Sequence, residues 1–336
     1  MKTLLVDGDW NLKKNFMSKR GFNANGHPCG GVFGFINSLK HTIDRLLPDR
    51  VIVMWDGENS GALRYKIYKQ YKSKRKSKWK MENLSSSDQY GKNEKMQQEF
   101  EIYKQRVAVQ SYLEDMFIRQ VEVINVEADD LIGQYILTSD IPNEHIYIYS
   151  KDKDFRQLVS DNVSMLNSTN FEIITRGNFI EKVGHTIDNE LLLKCFDGDS
   201  ADEIKGIKGI SPKGLLEKFP LMKHEKYTYN RLVEEAEEKR KNHKIKFYDK
   251  IIEAKEILYR NATLMDLKRP FLTDEAKKEV DNIMHAPLEF RFRSVDTAIR
   301  DFMKDGFNRF VEASLIMPFF ATFYRIKTKE QEFAEN

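Results

Sequence analysis

The chain has little cysteine and no long hydrophobic run, and each absence excludes a class of protein. Its two cysteines, Cys29 and Cys195, lie far apart with neither metal-type spacing nor a histidine cluster. Neither a disulfide framework nor a zinc site is indicated. The longest apolar stretches are short and broken by charges, too short to span a bilayer. The opening MKTLLVDGDW places Asp7 and Asp9 where a signal peptide needs an uncharged apolar run, which predicts a soluble protein of a reducing cytoplasm. There is no internal repeat, and one basic run is the only biased tract.

With 336 residues, 40% of them apolar, the chain can bury a substantial core as one large domain or two closely joined ones, so a disordered tail protein is excluded. The net charge of +3 says little, but its distribution is uneven. Residues 64–80 read RYKIYKQYKSKRKSKWK, nine Lys or Arg without an acid, interleaved with Tyr65, Tyr68, Tyr71 and Trp79. That composition suits phosphate binding with stacking groups. The competing reading is a solvated helix face with its aromatics turned to the core.

Three apolar runs, TLLVD, RVIVMWDG and EHIYIYSKDKD, read as buried strands that end in acid. Helical patterns separate them: GGVFGFINSLKHTIDRLL, a long polar stretch at about 92–114, and EADDLIGQYILTSD. This alternation predicts an α/β fold with a mainly parallel central sheet. The lysine-rich stretch at 72–95, with Ser85, Ser86, Ser87 and Gly91, is a candidate mobile loop or arch. A second module follows from Leu191, two helical patterns about a turn with Gly206 and Gly209. After Phe219 the sequence is charged and mostly helical, with a turn at Arg269 and Pro270 and a last apolar helix expected from Ala298 to Phe323.

In open α/β sheets ligands bind beyond the carboxyl ends of the strands. The acids expected there are Asp7, Asp56, Asp152 and Asp154, with Glu127, Asp129 and Asp130 opening a helix and Asp199 and Asp202 in the turn of GDSAD. Singly, each could be a helix cap or a turn residue. Together they would repel severely without a cation. Hard oxygen donors in such number select Mg²⁺ or Mn²⁺, and can hold two ions roughly 4 Å apart, an arrangement suited to phosphodiester hydrolysis.

The segments LLVDGD, GHPCGGVFGFINSL, VMWDGENSGALRYKIYKQYKSKR, VEADDLIGQYI, IYIYSKDKDFRQLVSDNV and FDGDSADEIKGIKGISPKGLLEKF resemble, in order, the 5′-nuclease superfamily. That family comprises flap endonucleases, the 5′-nuclease domain of bacterial DNA polymerase I, and phage 5′-exonucleases and ribonucleases H. ILYRNATLMDLKRPFLTDE and the final helix further resemble phage members such as the T-even phage ribonuclease H. The resemblance implies a PIN-like nuclease core at 1–189 with an arch at about 72–105. A helix-hairpin-helix at about 190–219 and a C-terminal helical region would complete the chain.

By the same resemblance, Asp7, Asp56 and Glu127 serve one metal, and Asp152, Asp154 and Asp199 the other. Asp129 bridges them, and Asp130 and Asp202 act at one remove or through water. Tyr71, Lys72 and Arg75 match the family's Y-K-x-x-R, in which the lysine and arginine meet the scissile phosphate. Arg64 matches a further basic position. Phe33 and Phe35 match an aromatic-Gly-Phe signature on a helix packed against the template duplex. GIKGIS matches the hairpin, where the carbonyls of Ile207 and Ile210 are candidates to hold K⁺, and Lys205, Lys208 and Lys213 would grip phosphates without reading bases.

Three positions depart from the family pattern: Cys29, Ser211 in place of a hairpin glycine, and Lys151 beside Asp152. The implied function is removal of RNA primers and 5′-flaps by a monomer, in the infected bacterial cytoplasm if the protein is a phage one. Its substrates would be flapped, nicked or branched DNA and RNA/DNA hybrid. The rivals are a 5′-exonuclease or ribonuclease H with little flap preference, a catalytically silent structure-specific binder, and a Ca²⁺-stabilised interaction protein. The last should cluster its acids in one loop, whereas these span nearly the first two-thirds of the chain. The tail MPFFATFYRIKTKEQEF reads first as a core-packing helix and second as a docking segment for a sliding clamp or single-strand-binding protein.

Overall fold

The computed structural model describes residues 1–18, 21–73, 86–167, 169–242, 245–286, 288 and 294–335. A six-stranded sheet runs in the order β3-β2-β1-β4-β5-β6. The strands are β1 Lys2–Asp7, β2 Arg50–Trp55, β3 Arg119–Glu122, β4 His145–Tyr149, β5 Val163–Leu166 and β6 Ile173–Ile174. Neighbours pair in parallel, with Val6 opposite Val53 and Leu5 opposite Ile148, except that β6 runs antiparallel to β5. Helices cover both faces, which is why β1 and β2 read as continuous apolar runs instead of alternating ones. Each fully buried Val, Leu or Ile contributes roughly 1.5–3 kcal/mol.

On one face the helices Gly30–Leu46, Ser86–Asp115 and Ile316–Glu335 enclose a core that includes Phe35, Leu39, Trp55, Leu113 and Phe320. On the other, Ala128–Thr138 and Asp274–His285 cover Leu131, Ile148, Met165 and Val280. A third core, around Phe196, Leu215, Phe219 and Ile251, belongs to the helices between Glu190 and Met265. The region after 190 is therefore not one separate unit. Its segments beyond 266 return to both faces of the sheet, where Val280 packs in one core and Phe302 and Phe320 in the other.

The chain runs from β1 through β2 to β3 on one side, then crosses to β4 on the other flank of β1. That reversal opens a crevice beyond the carboxyl ends of β1 and β4.

The expected helix-hairpin-helix consists of helix Glu190–Asp197, a two-stranded ribbon of β7 Gly198–Asp199 and β8 Ile204–Lys205, and helix Pro212–Lys218. Gly206 allows the ribbon to close: a Cβ there would lie 2.2 Å from the Asp197 carbonyl oxygen. Ser211 has a local reason to replace glycine, since its Oγ accepts from the Gly214 N–H at 3.1 Å and caps the helix that Pro212 opens.

The last apolar helix is two helices. Val295–Lys304 ends before Gly306, and Ile316–Glu335 begins after two short 3₁₀ turns. Phe302, Phe319, Phe320 and Phe323 pack together in the core, so these tail rings are committed to folding. Residues 74–85 of the expected arch, with Arg75, Lys78 and Trp79, lie outside the described residues.

Candidate active site at the carboxyl edge of the sheet

The last residue of β1 is Asp7, whose Oδ1 accepts from the Trp10 N–H at 3.1 Å while its Oδ2 accepts from Ser150 Oγ at 3.2 Å. Asp56 follows β2, and its Oδ1 accepts from the Ala128 N–H at 2.9 Å, tying that strand end to the helix carrying Asp129. Asp152 lies just past β4 and accepts from the Asp154 N–H at 2.9 Å. On the ribbon, Asp199 Oδ1 accepts from the N–H groups of Ala201 and Asp202. Four separate stretches of chain thus aim carboxylates at one crevice, and backbone N–H groups fix several of them.

Burial is the largest influence on this group, and like charge adds to it. Asp7 is pushed up to about 7 by desolvation and by Asp56, Asp9 and Asp152, against the Trp10 hydrogen bond. Asp129 is driven well above the usual carboxylate range by burial and by Asp7, Asp152, Glu127 and Asp56. Four acids of the set thus act on Asp129 together. Asp154 is pushed up to about 7 by burial and Asp152, although Lys194 opposes this.

A second group behaves oppositely, because basic side chains stand beside it. Burial would raise Glu127, but Lys72 and Arg64 outweigh it and hold the carboxyl low. Asp199 is likewise held low despite burial, by Lys194 and by two backbone N–H groups. Lys194 Nζ contacts Asp154 and lies 3.0 Å from Asp199, and Lys72 Nζ contacts Glu127 and lies 3.7 Å from Asp202. Among the described residues no three acidic, histidine or cysteine side chains already close around one point as an ion cage. Lys194 stands between Asp154 and Asp199, and Lys72 between Glu127 and Asp202.

The donor set nevertheless fits a hard divalent cation. It is all oxygen, and Asp7 and Asp129 have the raised proton affinity of buried carboxylates among like charges, while Asp154 stays raised even with Lys194 beside it. A cavity of about 1020 Å³ opens beside Asp152, Asp154, Lys194 and Asp199, with Lys151 and Lys213 on its wall.

Several expected binding residues are positioned differently. Asp130 does not face the crevice: Arg64 engages both its oxygens, and Oδ1 also accepts from the Phe271 N–H at 3.0 Å. Arg64 itself is buried between Glu127, at 2.8 Å, and Asp130, and donates to the Leu264 carbonyl at 2.8 Å. It positions Glu127 and cannot meet a duplex. Tyr71 is buried too, its hydroxyl donating to Glu127 at 2.8 Å and reaching Asp202 at 3.1 Å.

Phe35 is fully buried and stacks on Trp55 with centroids 5.7 Å apart, so it is a core residue. Phe33 is half-buried and stacks on Phe310 at 4.7 Å. Lys205, Lys208 and Lys213 are exposed on the hairpin module. The Ile207 carbonyl accepts from the Ile210 N–H at 2.9 Å, and the Lys208 carbonyl accepts from Lys250 Nζ at 2.6 Å, so part of the hairpin already has an ammonium partner.

Lys72 adopts φ of +48°, a left-handed conformation uncommon for lysine, and its N–H donates to the Asp202 carbonyl at 3.1 Å. Opposite, Gly61 has φ of +80°, and a Cβ there would lie 2.8 Å from Glu127 Oε1. Sequence reasoning missed Asp9, which accepts from the Asp56 N–H at 2.8 Å and lies 3.6 Å from Arg106 Nε. It also missed Lys194, which no spacing rule singles out among so many lysines. Asp9, by contrast, was visible in LLVDGD.

A mainly parallel sheet with carboxylates gathered at its switch point defines a PIN-like nuclease fold. The chain belongs to the 5′-3′ exonuclease family, whose N-terminal resolvase-like domain matches residues 2–184. It is 28% identical over 225 residues to the 5′-3′ exonuclease of Buchnera aphidicola subsp. Schizaphis graminum, covering 66% of this chain and 71% of that protein. Among solved structures, the bacteriophage T5 flap endonuclease in complex with DNA and metal ions aligns at TM-score 0.58 and 18% identity, over 91% of this chain and 99% of that one. Flap endonuclease-1 of Methanococcus jannaschii aligns at TM-score 0.55 and 18% identity, over 98% and 93%.

Proposed function

We propose that the protein is a divalent-metal-dependent, structure-specific 5′-nuclease that hydrolyses phosphodiesters at 5′-flaps, nicks and branches, and in RNA/DNA hybrid, as in removal of RNA primers. The observation that carries this reading is the convergence of carboxylates from three strand ends, a helix start and the β7 ribbon, centred electrostatically on Asp129. Asp7, Asp56 and Glu127 would hold one Mg²⁺, and Asp152, Asp154 and Asp199 a second, with Asp129 between them and Mn²⁺ able to substitute. Bound there, the ions would neutralise the carboxylates and polarise the scissile phosphate as Lewis acids.

The chain's own groups do the rest. Lys72, whose N–H donates to the Asp202 carbonyl and whose ammonium lies at Glu127, would present that ammonium where charge builds on the phosphate, which matters most in the transition state. Arg75 is assigned the same task by the motif alone. Arg64 and Tyr71 orient Glu127. Lys205, Lys208 and Lys213 grip the duplex backbone, and K⁺ at the Ile207 and Ile210 carbonyls would assist them. Phe33 offers its half-buried ring to the duplex end.

Cleavage of a 5′-flapped duplex, a nicked duplex and an RNA/DNA hybrid, each in Mg²⁺ and in EDTA, tests the reading. Metal-dependent release of 5′ fragments is expected from the flap at least. Absence of cleavage on all three substrates would contradict it. Lys72→Ala should slow single-turnover cleavage roughly 100-fold with affinity changed only a few-fold.

A further inference from the structure

At the opposite, amino edge of the sheet lies a cavity of about 690 Å³ with its own charged wall. Arg50 opens β2 and Arg119 opens β3, and the two guanidiniums flank a single carboxylate, Glu330 of the C-terminal helix. All three line the cavity and are more than nine-tenths buried, at 3%, 6% and 3% exposure. Among the buried charges on this wall one carboxylate faces two guanidiniums, since Asp140, Asp281, Lys277 and Lys278, which also line it, are solvent-exposed. Buried charge left uncompensated is costly, so the wall has a standing demand for an anion.

The hydrogen bonding points the same way. Arg50 Nη2 donates to the Met284 carbonyl at 3.1 Å, and Arg119 Nη1 to the Ala286 carbonyl at 2.9 Å and to Ile283, which fixes both groups in place. Their contacts to Glu330 are loose, 3.5 Å from Arg50 Nε and 3.9 Å from Arg119 Nη2. The buried Nε of Arg119 has no hydrogen-bond partner, and Arg50 Nε and Glu330 Oε1 have only their long contact with each other. A planar guanidinium with unused donors matches an oxyanion. The cavity is larger than an oxyanion alone needs, and Tyr135, Met284 and Phe333 give it an apolar side.

We propose that this amino-edge cavity binds a phosphorylated small molecule, its phosphate held by Arg50 and Arg119 in competition with Glu330. A 5′-mononucleotide is the favoured occupant, since it is a phosphate ester of the class a 5′-nuclease releases; only that choice of occupant rests on the proposed activity. The cavity and the acidic crevice lie at opposite edges of the same sheet, so occupancy can be read without cleavage.

Calorimetric titration of the whole protein in EDTA and at constant ionic strength tests this, using inorganic phosphate, deoxyadenosine 5′-monophosphate and deoxyadenosine as probes. Saturable binding of the two phosphates but not of the nucleoside is expected. Tighter binding of the mononucleotide would identify the nucleotide as occupant, and equal binding would identify phosphate itself. Glu330→Gln removes the competing carboxylate and should tighten binding about tenfold, whereas Arg50→Met should weaken it about tenfold or more.

If a variant fails to fold alone, its melting temperature is followed with increasing phosphate, and Glu330→Gln should gain more from phosphate than wild type does. No saturable binding to wild type or to Glu330→Gln would overturn the proposal. So would binding that neither substitution changes. Because metal is absent throughout, failure of cleavage and failure of this site are separate results.

Discussion

Lys194 offers the sharpest test of how the crevice manages its charge. Its ammonium is shared between Asp154 and Asp199, and the three side chains are 18%, 21% and 22% exposed. A divalent ion entering between those carboxylates must displace this ammonium or tolerate it. Unit charges about 4 Å apart at an effective dielectric near 20 interact by roughly 4 kcal/mol. Partial exposure screens much of that, leaving on the order of 1–2 kcal/mol, or about tenfold in Kd. Lys194→Met keeps the apolar stem and removes the charge. Titration with Ca²⁺, followed by calorimetry and by the rise in melting temperature, should show about tenfold tighter binding than wild type. Unchanged or weaker binding would mean that Lys194 supports the ion site and does not compete for it, and the argument from charge would fail.

Arg64→Met should destabilise the fold by about 3–5 kcal/mol, because it leaves Glu127 and Asp130 buried without their partner. Denaturant melts should reveal this, while the salt dependence of residual DNA binding stays unchanged; an altered salt slope in a stably folded variant would restore Arg64 as a phosphate contact. Lys208→Ala with Lys213→Ala should reduce the salt slope of duplex binding by about 1–2 units for every sequence, and an unchanged slope would remove these lysines from the interface. Without metal, Asp7 and Asp154 are raised to about 7, so they bind protons more tightly folded than unfolded. Their contribution to stability is therefore lost as pH rises from the ordinary carboxylate range through about 7. Melting temperature against pH in EDTA should fall over that window and Mg²⁺ should reverse the fall; identical curves with and without Mg²⁺ would count against the acids as ion ligands.

Much of the fold was legible because buried parallel strands leave continuous apolar runs. β1, β2 and β4 announce themselves in this way. β3 reads RQVE and β6 is two residues long, so neither carries such a signal, and their places are set by pairing with neighbours. The last helix was expected to run unbroken from Ala298 to Phe323, although Gly306, with φ of +77°, stops the first of its two helices and Phe302 packs back on Phe319. At the site, acids following apolar runs were easy to find.

Direction was harder to read than composition. A basic and aromatic run does not say which side chains turn inward, and Arg64 and Tyr71 turn inward because Glu127 and Asp130 wait there. Phe35 behaves alike toward Trp55. Lys194 lies in a helix whose sequence suggests a solvated lysine, and tertiary packing alone brings it against Asp154.

The most direct test is single-turnover cleavage of a 5′-flapped duplex in Mg²⁺ by wild type and by Asp129→Asn, with DNA affinity measured in parallel. Asp129 is the acid whose charge meets Asp7, Asp152, Glu127 and Asp56 together. The expected result is cleavage by wild type that EDTA abolishes, a loss of roughly 100-fold or more in Asp129→Asn, and DNA affinity equal or higher. Cleavage by Asp129→Asn at the wild-type rate, or wild-type cleavage that persists in EDTA, would show that the chemistry does not depend on ions held by this crevice.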